Sequence, residues 1–209
     1  MIYEFDPEKH RYTIDGVECP SVTDICNPIT AEKYNINPNV LQQAATRGTI
    51  IHDLCADYDQ GIVPEQLEVG TAMYLMAYID FLNDYKPKWE YIETPFYSTK
   101  FDTEHFFAGT VDRIGYIDDR MAIVDIKTTA QMNRASKISL ATQIAGYRIL
   151  ANENGVPYAR FDDSFGVQLC KDGTYKVHRV SEIAVYNRFE PLDLFRQLLK
   201  FKYLVKEYR

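Results

Sequence analysis

Two stretches of the chain are rich in isoleucine, valine and alanine and carry few polar residues, as is typical of β-strands in a sheet core. They span residues 109–117 and 121–127, and a short acidic turn at 118–120 joins them. This pattern predicts an antiparallel hairpin. If the loop contains two residues, counting outward along the strands places Asp112 directly opposite Asp125, with their side chains about 5 Å apart. A loop of three residues would shift this register.

Other stretches have the spacing of three and four residues that is typical of helices. Helices are predicted at residues 39–56, 68–83 and 139–150, and from about Pro191. The first carries His52 on its apolar side, and the third places Gln143 and Tyr147 one turn apart. Shorter strands are predicted at residues 3–5, 12–14 and 17–19, around Glu93, and at 165–169 paired with 175–178. Ser21 is a predicted helix cap.

Composition predicts a single domain. The chain has 209 residues, of which 46% are hydrophobic, and it contains no linker or repeat. We divide it into an N-terminal hairpin and short helix (1–38), a core (39–180) and a C-terminal helix (181–209). Because neither a signal peptide nor a membrane-spanning stretch is found, we expect a cytoplasmic protein with no membrane association. The four cysteines form no Cys-x-x-Cys pair, so neither a zinc knuckle nor a disulfide framework is expected.

The end of the predicted hairpin away from its loop carries candidate functional residues. Asp112 and Asp125 would repel each other in a strand pair rich in Ile and Val unless a cation lies between them. Oxygen ligands favour Mg²⁺ or Mn²⁺ over zinc. Lys127 shares a face with Asp125 because strand side chains alternate, and an ammonium group there suits phosphodiester chemistry. The alternative is a surface hairpin on which these residues and Arg113 form solvated ion pairs of little value.

Each candidate functional residue on the predicted helices also has a purely structural interpretation when it is considered alone. His52 on an apolar stripe is also consistent with a hydrogen-bonded core histidine. Gln143 and Tyr147 are also consistent with a half-buried helix surface. Cys55, three residues after His52, is better explained as a small buried apolar residue than as a nucleophile or a ligand.

In combination, these motifs resemble the PD-(D/E)XK nuclease superfamily in its RecB-like exonuclease branch, including small phage-encoded members. The resemblance lies in the order Gly48-x-x-x-His52, Glu93, Gly109-Thr110-Val111-Asp112, Asp125-Ile126-Lys127 and Gln143-x-x-x-Tyr147. It implies an α/β (α+β) fold with a restriction-endonuclease-like core, in which helices flank a mixed central β-sheet. It also implies a Mg²⁺- or Mn²⁺-dependent deoxyribonuclease with one or two ions.

The resemblance also implies a role for each residue of the site. Asp112 and Asp125 would ligate the metal together with the backbone carbonyl of Ile126, and His52 would be a further ligand or a close neighbour. Lys127 would orient the attacking water or stabilise developing charge. Glu93 would act near the site, through metal-bound water. Its alternative on the same strand is Glu90, which lies at an odd offset, so only one of the two can face the carboxylates.

DNA contacts are the last implication of the resemblance. Gln143 and Tyr147 would bind the DNA backbone. A basic track is expected from Lys100, Arg134, Lys137, Arg148 and Arg160. The net charge of −7 opposes tight non-specific DNA binding, although this basic track and bound cations would offset it locally. Weak intrinsic affinity would instead point to a recombination partner protein or a ring-shaped homo-oligomer. Relatives with an iron–sulfur cluster group three cysteines after the Gln143 helix, where this chain has only Cys170, so we expect no cluster.

Three functions remain open from the sequence. The first is an exonuclease of phage or mobile-element DNA recombination and repair. The second is a structure-specific or endonucleolytic deoxyribonuclease with the same fold. The third is a catalytically silent module that binds DNA or protein.

Overall fold

The computed structural model describes residues 1–7, 9–31, 38–63, 65–156 and 164–205. The strands are β1 (Tyr3–Asp6), β2 (Arg11–Ile14), β3 (Val17–Cys19), β4 (Lys88–Ser98), β5 (Phe107–Ile117), β6 (Arg120–Lys127), β7 (Phe165–Leu169) and β8 (Tyr175–Arg179). The helices are α1 (Val22–Cys26), α2 (Pro28–Ala31), α3 (Pro38–Asp59), α4 (Val69–Tyr85), α5 (Arg134–Glu153), α6 (Val180–Asn187) and α7 (Pro191–Val205).

The N-terminal segment forms a three-stranded antiparallel sheet in the order β1-β2-β3. Ser21 then caps α1, as predicted. Its hydroxyl accepts a hydrogen bond from the Asp24 backbone N–H, and the Asp24 carboxylate accepts one from the Ser21 backbone. This reciprocal capping box satisfies two backbone donors that the first turn of a helix would otherwise leave unpaired.

A five-stranded mixed sheet in the order β4-β5-β6-β7-β8 forms the centre of the molecule. Strands β6 and β7 are parallel, and the other three pairs are antiparallel. The parallel pair requires a crossover connection, and α5 supplies it between β6 and β7. The predicted fold class, a mixed central sheet flanked by helices, is therefore confirmed.

The predicted register of the β5–β6 hairpin is confirmed as well. Ile117 pairs with Arg120, so the loop is the dipeptide Asp118-Asp119. Both loop residues have positive φ, at 49° and 58°. This is the geometry of a type I′ turn, whose twist matches that of the strands. Every position further along the hairpin follows from this loop.

Helices cover the central sheet on both faces. On β6, Met121 and Ile123 belong to the core that includes α5, whereas Val124 and Ile126 face the core shared with α3 and α4. At Gly166 of β7, a Cβ atom would lie only 2.4 Å from a methyl group of Leu140 on α5. Glycine therefore allows α5 to approach the sheet closely.

Several details differ from the sequence predictions. Among the α3 side chains that the structure describes, the apolar stripe is buried in its second half, where Ile51 and Cys55 meet α4 and the sheet, whereas Ala45 is exposed. The C-terminal segment also contains α6, which was not predicted. Arg188, with a φ of 55°, ends that helix in the left-handed conformation. Glycine or asparagine usually occupies such a left-handed helix end. Because arginine occupies it here, the sequence did not indicate where α6 ends.

Candidate metal centre

Three carboxylates occupy neighbouring positions on three adjacent strands. In the β4–β5 ladder, Ile92 pairs with Arg113 and Thr94 with Val111, so Glu93 lies opposite Asp112. In the β5–β6 ladder the outermost pair is Arg113 with Val124, and the next position outward places Asp112 opposite Asp125. The three predicted carboxylates therefore lie in one row across the sheet.

At Asp112, hydrogen bonds that involve side chains replace the backbone hydrogen bonds of the β5–β6 ladder. The Ile126 N–H donates to Asp112 Oδ2 at 2.6 Å. The Asp112 carbonyl accepts instead from Arg113 Nη1, also at 2.6 Å. The Asp112 carboxylate is thus anchored to the neighbouring strand, and its side chain is only 9% exposed. The alternative of a solvated surface hairpin is wrong, because Asp125 and Arg113 are also buried.

The backbone of β4 is irregular where it presents Glu93. The ladder with β5 shifts between Trp89 and Tyr91, and Glu93 has a φ of 43°. A left-handed residue other than glycine, asparagine or aspartate is uncommon, and such strain concentrates at functional sites. Glu93 lines the pocket above the carboxylate row, whereas Glu90 is exposed. Of the two glutamates, Glu93 is therefore the one that faces Asp112.

His52 reaches this row from α3. Its Nε2 lies 3.0 Å from the Ile126 carbonyl oxygen. Its Nδ1 lies 3.4 Å from Glu93 Oε1 and 3.6 Å from Asp112 Oδ2. One ligand atom from each of His52, Glu93 and Asp112 falls within 4.8 Å of the other two. A cation placed among them could therefore contact all three.

Asp125 lies beside this group and is paired with Lys127. Lys127 Nζ donates to Asp125 Oδ1 at 3.1 Å and lies 2.8 Å from Oδ2. Nζ also donates to Gln143 Oε1 on α5 at 3.0 Å. Gln143 thus holds the lysine, and one turn later Tyr147 lines the same pocket. The pocket has a volume of about 430 Å³, and part of its wall comes from the N-terminal sheet.

The charges of the site are poorly balanced without a cation. Burial raises the pKa of Asp125 to about 6, helped by repulsion from Asp112 and opposed by Lys127. Burial and Glu93 likewise raise the pKa of Asp112, while His52 opposes the shift. Burial would lower the pKa of His52, but attraction to Asp112 and Glu93 outweighs it and raises that pKa to about 9. A divalent cation would reverse this pattern by stabilising the carboxylates as anions and the imidazole as a neutral ligand.

The donor set fits a hard divalent cation. It contains carboxylate oxygens and one imidazole but no sulfur, because Cys55 is fully buried in the core of α3 and α4, as predicted. Carboxylate-rich sites suit Mg²⁺ and Mn²⁺. No family model matches the sequence, and neither does any curated protein.

The remaining predicted ligand has another partner in this structure. The Ile126 carbonyl oxygen lies 3.0 Å from His52 Nε2, and its second lone pair could still ligate an ion. Conversely, Glu93 was predicted to act through metal-bound water and lies close enough to bind directly. Both roles stay predictions.

The structure brings together only some of the residues that were predicted to contact DNA. Tyr147 lines the pocket and Gln143 contacts it through Lys127, whereas Arg148 is buried at 9% exposure within α5. Arg134 and Lys137 line a separate groove, Lys100 lines neither cavity, and Arg160 lies outside the described residues. None of the helices in the described ranges is both long and apolar enough to cross a bilayer.

One functional network was missed from sequence. Arg113 is fully buried and donates from Nε to Asp59 Oδ2 at 2.7 Å and from Nη1 to Glu93 Oε1 at 2.9 Å. Tyr78 donates to the same Asp59 oxygen at 2.7 Å. Arg113 thus connects Glu93 to α3 and to α4. An arginine in a largely apolar strand indicated a buried ion pair. The sequence could not identify the partner, because Asp59 lies 54 residues away.

Proposed function

We propose that this protein is a Mg²⁺- or Mn²⁺-dependent deoxyribonuclease that hydrolyses phosphodiester bonds as an exonuclease. The observation that carries the proposal is the convergence of His52, Glu93 and Asp112 in one pocket with Lys127. Carboxylates that could hold a divalent ion beside a fixed ammonium group suit hydrolysis of a phosphodiester. The resemblance to RecB-like nucleases supports DNA as the polymer and phage or mobile-element recombination as the setting.

His52, Glu93 and Asp112 would hold the ion, with Asp125 as an additional ligand after modest movement. The chemistry such an ion supplies is activation of a water and neutralisation of charge on the scissile phosphate. The hydrogen bond from His52 Nε2 to the Ile126 carbonyl fixes the imidazole so that Nδ1 points at the carboxylates. Orientation of a histidine ligand through its other nitrogen is a common arrangement in metal sites.

Lys127 would act on the phosphate or on the attacking water. Asp125 and Gln143 hold its ammonium group from two sides, which leaves one of its three protons for a substrate oxygen. Because the nearby carboxylates outweigh the effect of burial, the pKa of Lys127 is raised and the group stays charged. Lys127 would therefore stabilise negative charge that develops in the transition state.

Separate assays of metal binding and hydrolysis test the proposal. Calorimetry should show Mn²⁺ binding that Asp112→Asn abolishes and Lys127→Ala retains, because only the first removes a ligand. Hydrolysis of end-labelled linear DNA should require the metal and disappear in Asp125→Ala and Lys127→Ala. Lys88→Ala and Glu90→Ala are matched controls, since both residues are exposed on β4. Hydrolysis that continues in EDTA, or in Lys127→Ala, would refute the mechanism.

Closed circular DNA separates the alternatives. An obligate exonuclease leaves it intact, whereas nicking would show the endonucleolytic enzyme of the same fold. If Mn²⁺ does not bind and no DNA is cut, the catalytically silent module is correct. Sedimentation with and without DNA would test the proposed homo-oligomer, and co-purification would test for a recombination partner protein.

A further inference from the structure

A second groove, outside the catalytic pocket, lies between the start of α5, strand β8 and helix α6. Its volume is about 710 Å³. Arg134 of α5 spans one side and donates to Asn187 of α6 at 2.8 Å. The proposed catalytic residues do not line this groove, so their chemistry does not account for it.

Positive charge is concentrated in this groove although the chain as a whole is acidic. The cationic and imidazole side chains that supply charge to it are Arg134, Lys137, Lys176 and His178, against one carboxylate, Glu182. Arg179 also borders the groove, but its guanidinium lies over the Phe165 ring on the opposite face of the sheet. Over the whole chain, by contrast, the 30 acidic residues outnumber the 23 lysines and arginines. Neither Lys137 nor Lys176 is ion-paired to a residue in the described ranges. Burial and repulsion from these two lysines lower the pKa of His178, so the groove has a positive field.

The groove and the catalytic pocket lie on one face of the central sheet. Lys127 on β6 pairs with Gln168 on β7, and Gln168 pairs with Lys176 on β8. Cross-strand partners point to the same face, and strands are about 4.8 Å apart, so Lys176 begins roughly 10 Å from Lys127. The neighbouring row runs from Asp125 through Gly166 to His178. The groove therefore lies on the same side of the sheet as the catalytic pocket, with α5 packed between them over Gly166.

An exposed aromatic ring completes the groove. Tyr186 of α6 lines it and is 84% exposed. Grooves that bind single-stranded nucleic acid combine cations, which track the phosphates, with aromatic rings on which bases stack. A groove for a free phosphate or a small anion would not need this ring.

We propose that this groove binds a single strand of nucleic acid, with its phosphates on Lys137 and Lys176 and an unpaired base on Tyr186. The proposal deepens the proposed function and rests on it in one respect, namely that the bound strand continues from the groove to the catalytic pocket. The groove holds nucleotides beyond the scissile bond. It thereby supplies affinity that the acidic catalytic pocket lacks.

Binding measured in EDTA tests the groove without requiring hydrolysis. The probe is a labelled oligothymidylate of about 20 nucleotides, followed by fluorescence anisotropy. At about 0.1 M salt, loss of two phosphate contacts in Lys137→Glu/Lys176→Glu should weaken binding roughly 25-fold and lower the salt slope by about 1.4. Tyr186→Ala should weaken binding at least about fivefold with an unchanged salt slope. Lys88→Glu/Lys200→Glu is the matched control, with the same change in charge at exposed positions outside the groove.

Equal affinity of the groove variant and the control pair would overturn the proposal, as would a probe that binds only as a duplex. Thermal unfolding should be unchanged in these surface variants. Independently, the His178 imidazole should show a rise in pKa on addition of oligothymidylate, because bound phosphate offsets Lys137 and Lys176. An NMR titration that shows no change in that pKa would also contradict binding at this place.

A small substrate separates failure of the groove from failure of the catalytic site. Mn²⁺-dependent hydrolysis of bis-p-nitrophenyl phosphate requires only the metal pocket, so the groove variant should match the wild type. On the oligonucleotide, the same variant should lose kcat/KM in proportion to its lost affinity. Absence of hydrolysis in every form, with groove-dependent binding intact, would refute the proposed enzyme and leave the strand-binding groove standing. Equal loss on both substrates would show that the groove substitutions disturb the site and would overturn its assignment.

Discussion

Replacing Arg113 by methionine should destabilise the protein more than any surface charge substitution. Arg113 is 0% exposed and its partner Asp59 is 3% exposed. The substitution would leave the Asp59 carboxylate buried without its cation, although the Tyr78 hydroxyl would still donate to it. Removal of one member of a buried ion pair costs about 3–5 kcal/mol, because the remaining charge is uncompensated. Typical total stabilities are about 5–15 kcal/mol, so this loss is a large share.

Arg113→Lys tests the positioning role if the methionine variant does not fold. Lysine keeps the charge but cannot contact Asp59, Glu93 and the Asp112 carbonyl with one planar fork. Glu93 would lose its fixed orientation, and such losses around metal ligands weaken metal binding about 10–100-fold. We therefore expect weaker Mn²⁺ binding with a smaller loss of stability than in Arg113→Met.

Urea unfolding and calorimetry measure the two effects separately. Arg196→Met is the matched control, because its ion pair with Asp193 is exposed on both sides. Exposed pairs contribute about 0–1 kcal/mol. The double variant Asp59→Asn/Arg113→Met should recover part of the lost stability without recovering Mn²⁺ affinity. An Arg113→Met protein as stable as Arg196→Met, or an Arg113→Lys protein with unchanged Mn²⁺ affinity, would refute the reasoning.

Three further predictions concern packing and protonation. Gly166→Ala should cost about 1–3 kcal/mol in urea unfolding, because its Cβ would lie 2.4 Å from a Leu140 methyl group. Gly48→Ala should be neutral or stabilise by up to about 1 kcal/mol, since the nearest atom is the Thr128 hydroxyl at 3.8 Å and alanine favours helix; a clear loss of stability would contradict this. In EDTA, the raised pKa of Asp125, about 6, means that its contribution to stability is present below its ordinary pKa and is lost as pH rises through 6. Asp125→Asn should lack this loss, and saturating Mn²⁺ should remove it from the wild type.

The hairpin shows how much of the site the sequence could predict. The apolar, β-branched composition of β5 and β6 and the acidic two-residue loop are local features, and together they set the register that aligns Asp112 with Asp125. The face shared by Asp125 and Lys127 follows from the period of a strand alone. Gln143 and Tyr147 likewise follow from helical spacing. These predictions held because each depends on residues close together in the chain.

Other parts of the site depend on which elements become neighbours. His52 reaches the Ile126 carbonyl across 74 residues, and its apolar stripe by itself was equally consistent with a core histidine. Glu93 turns to the pocket through a positive φ that simple alternation does not predict. Arg113 was predicted to be solvated in the alternative interpretation and is instead buried, because α3 and α4 bring Asp59 and Tyr78 to that face.

The sequence by itself determined the strand periods, the hairpin loop and hence the alignment of two carboxylates with a lysine beside them. Tertiary structure alone decided that a histidine and a glutamate join Asp112 and that Arg113 is buried. It also decided that cations from α5 and β8 meet an exposed tyrosine of α6 in one groove. The physical reason is that side-chain direction follows from backbone period, whereas the choice of neighbours follows from how amphipathic faces bury one another over the whole chain.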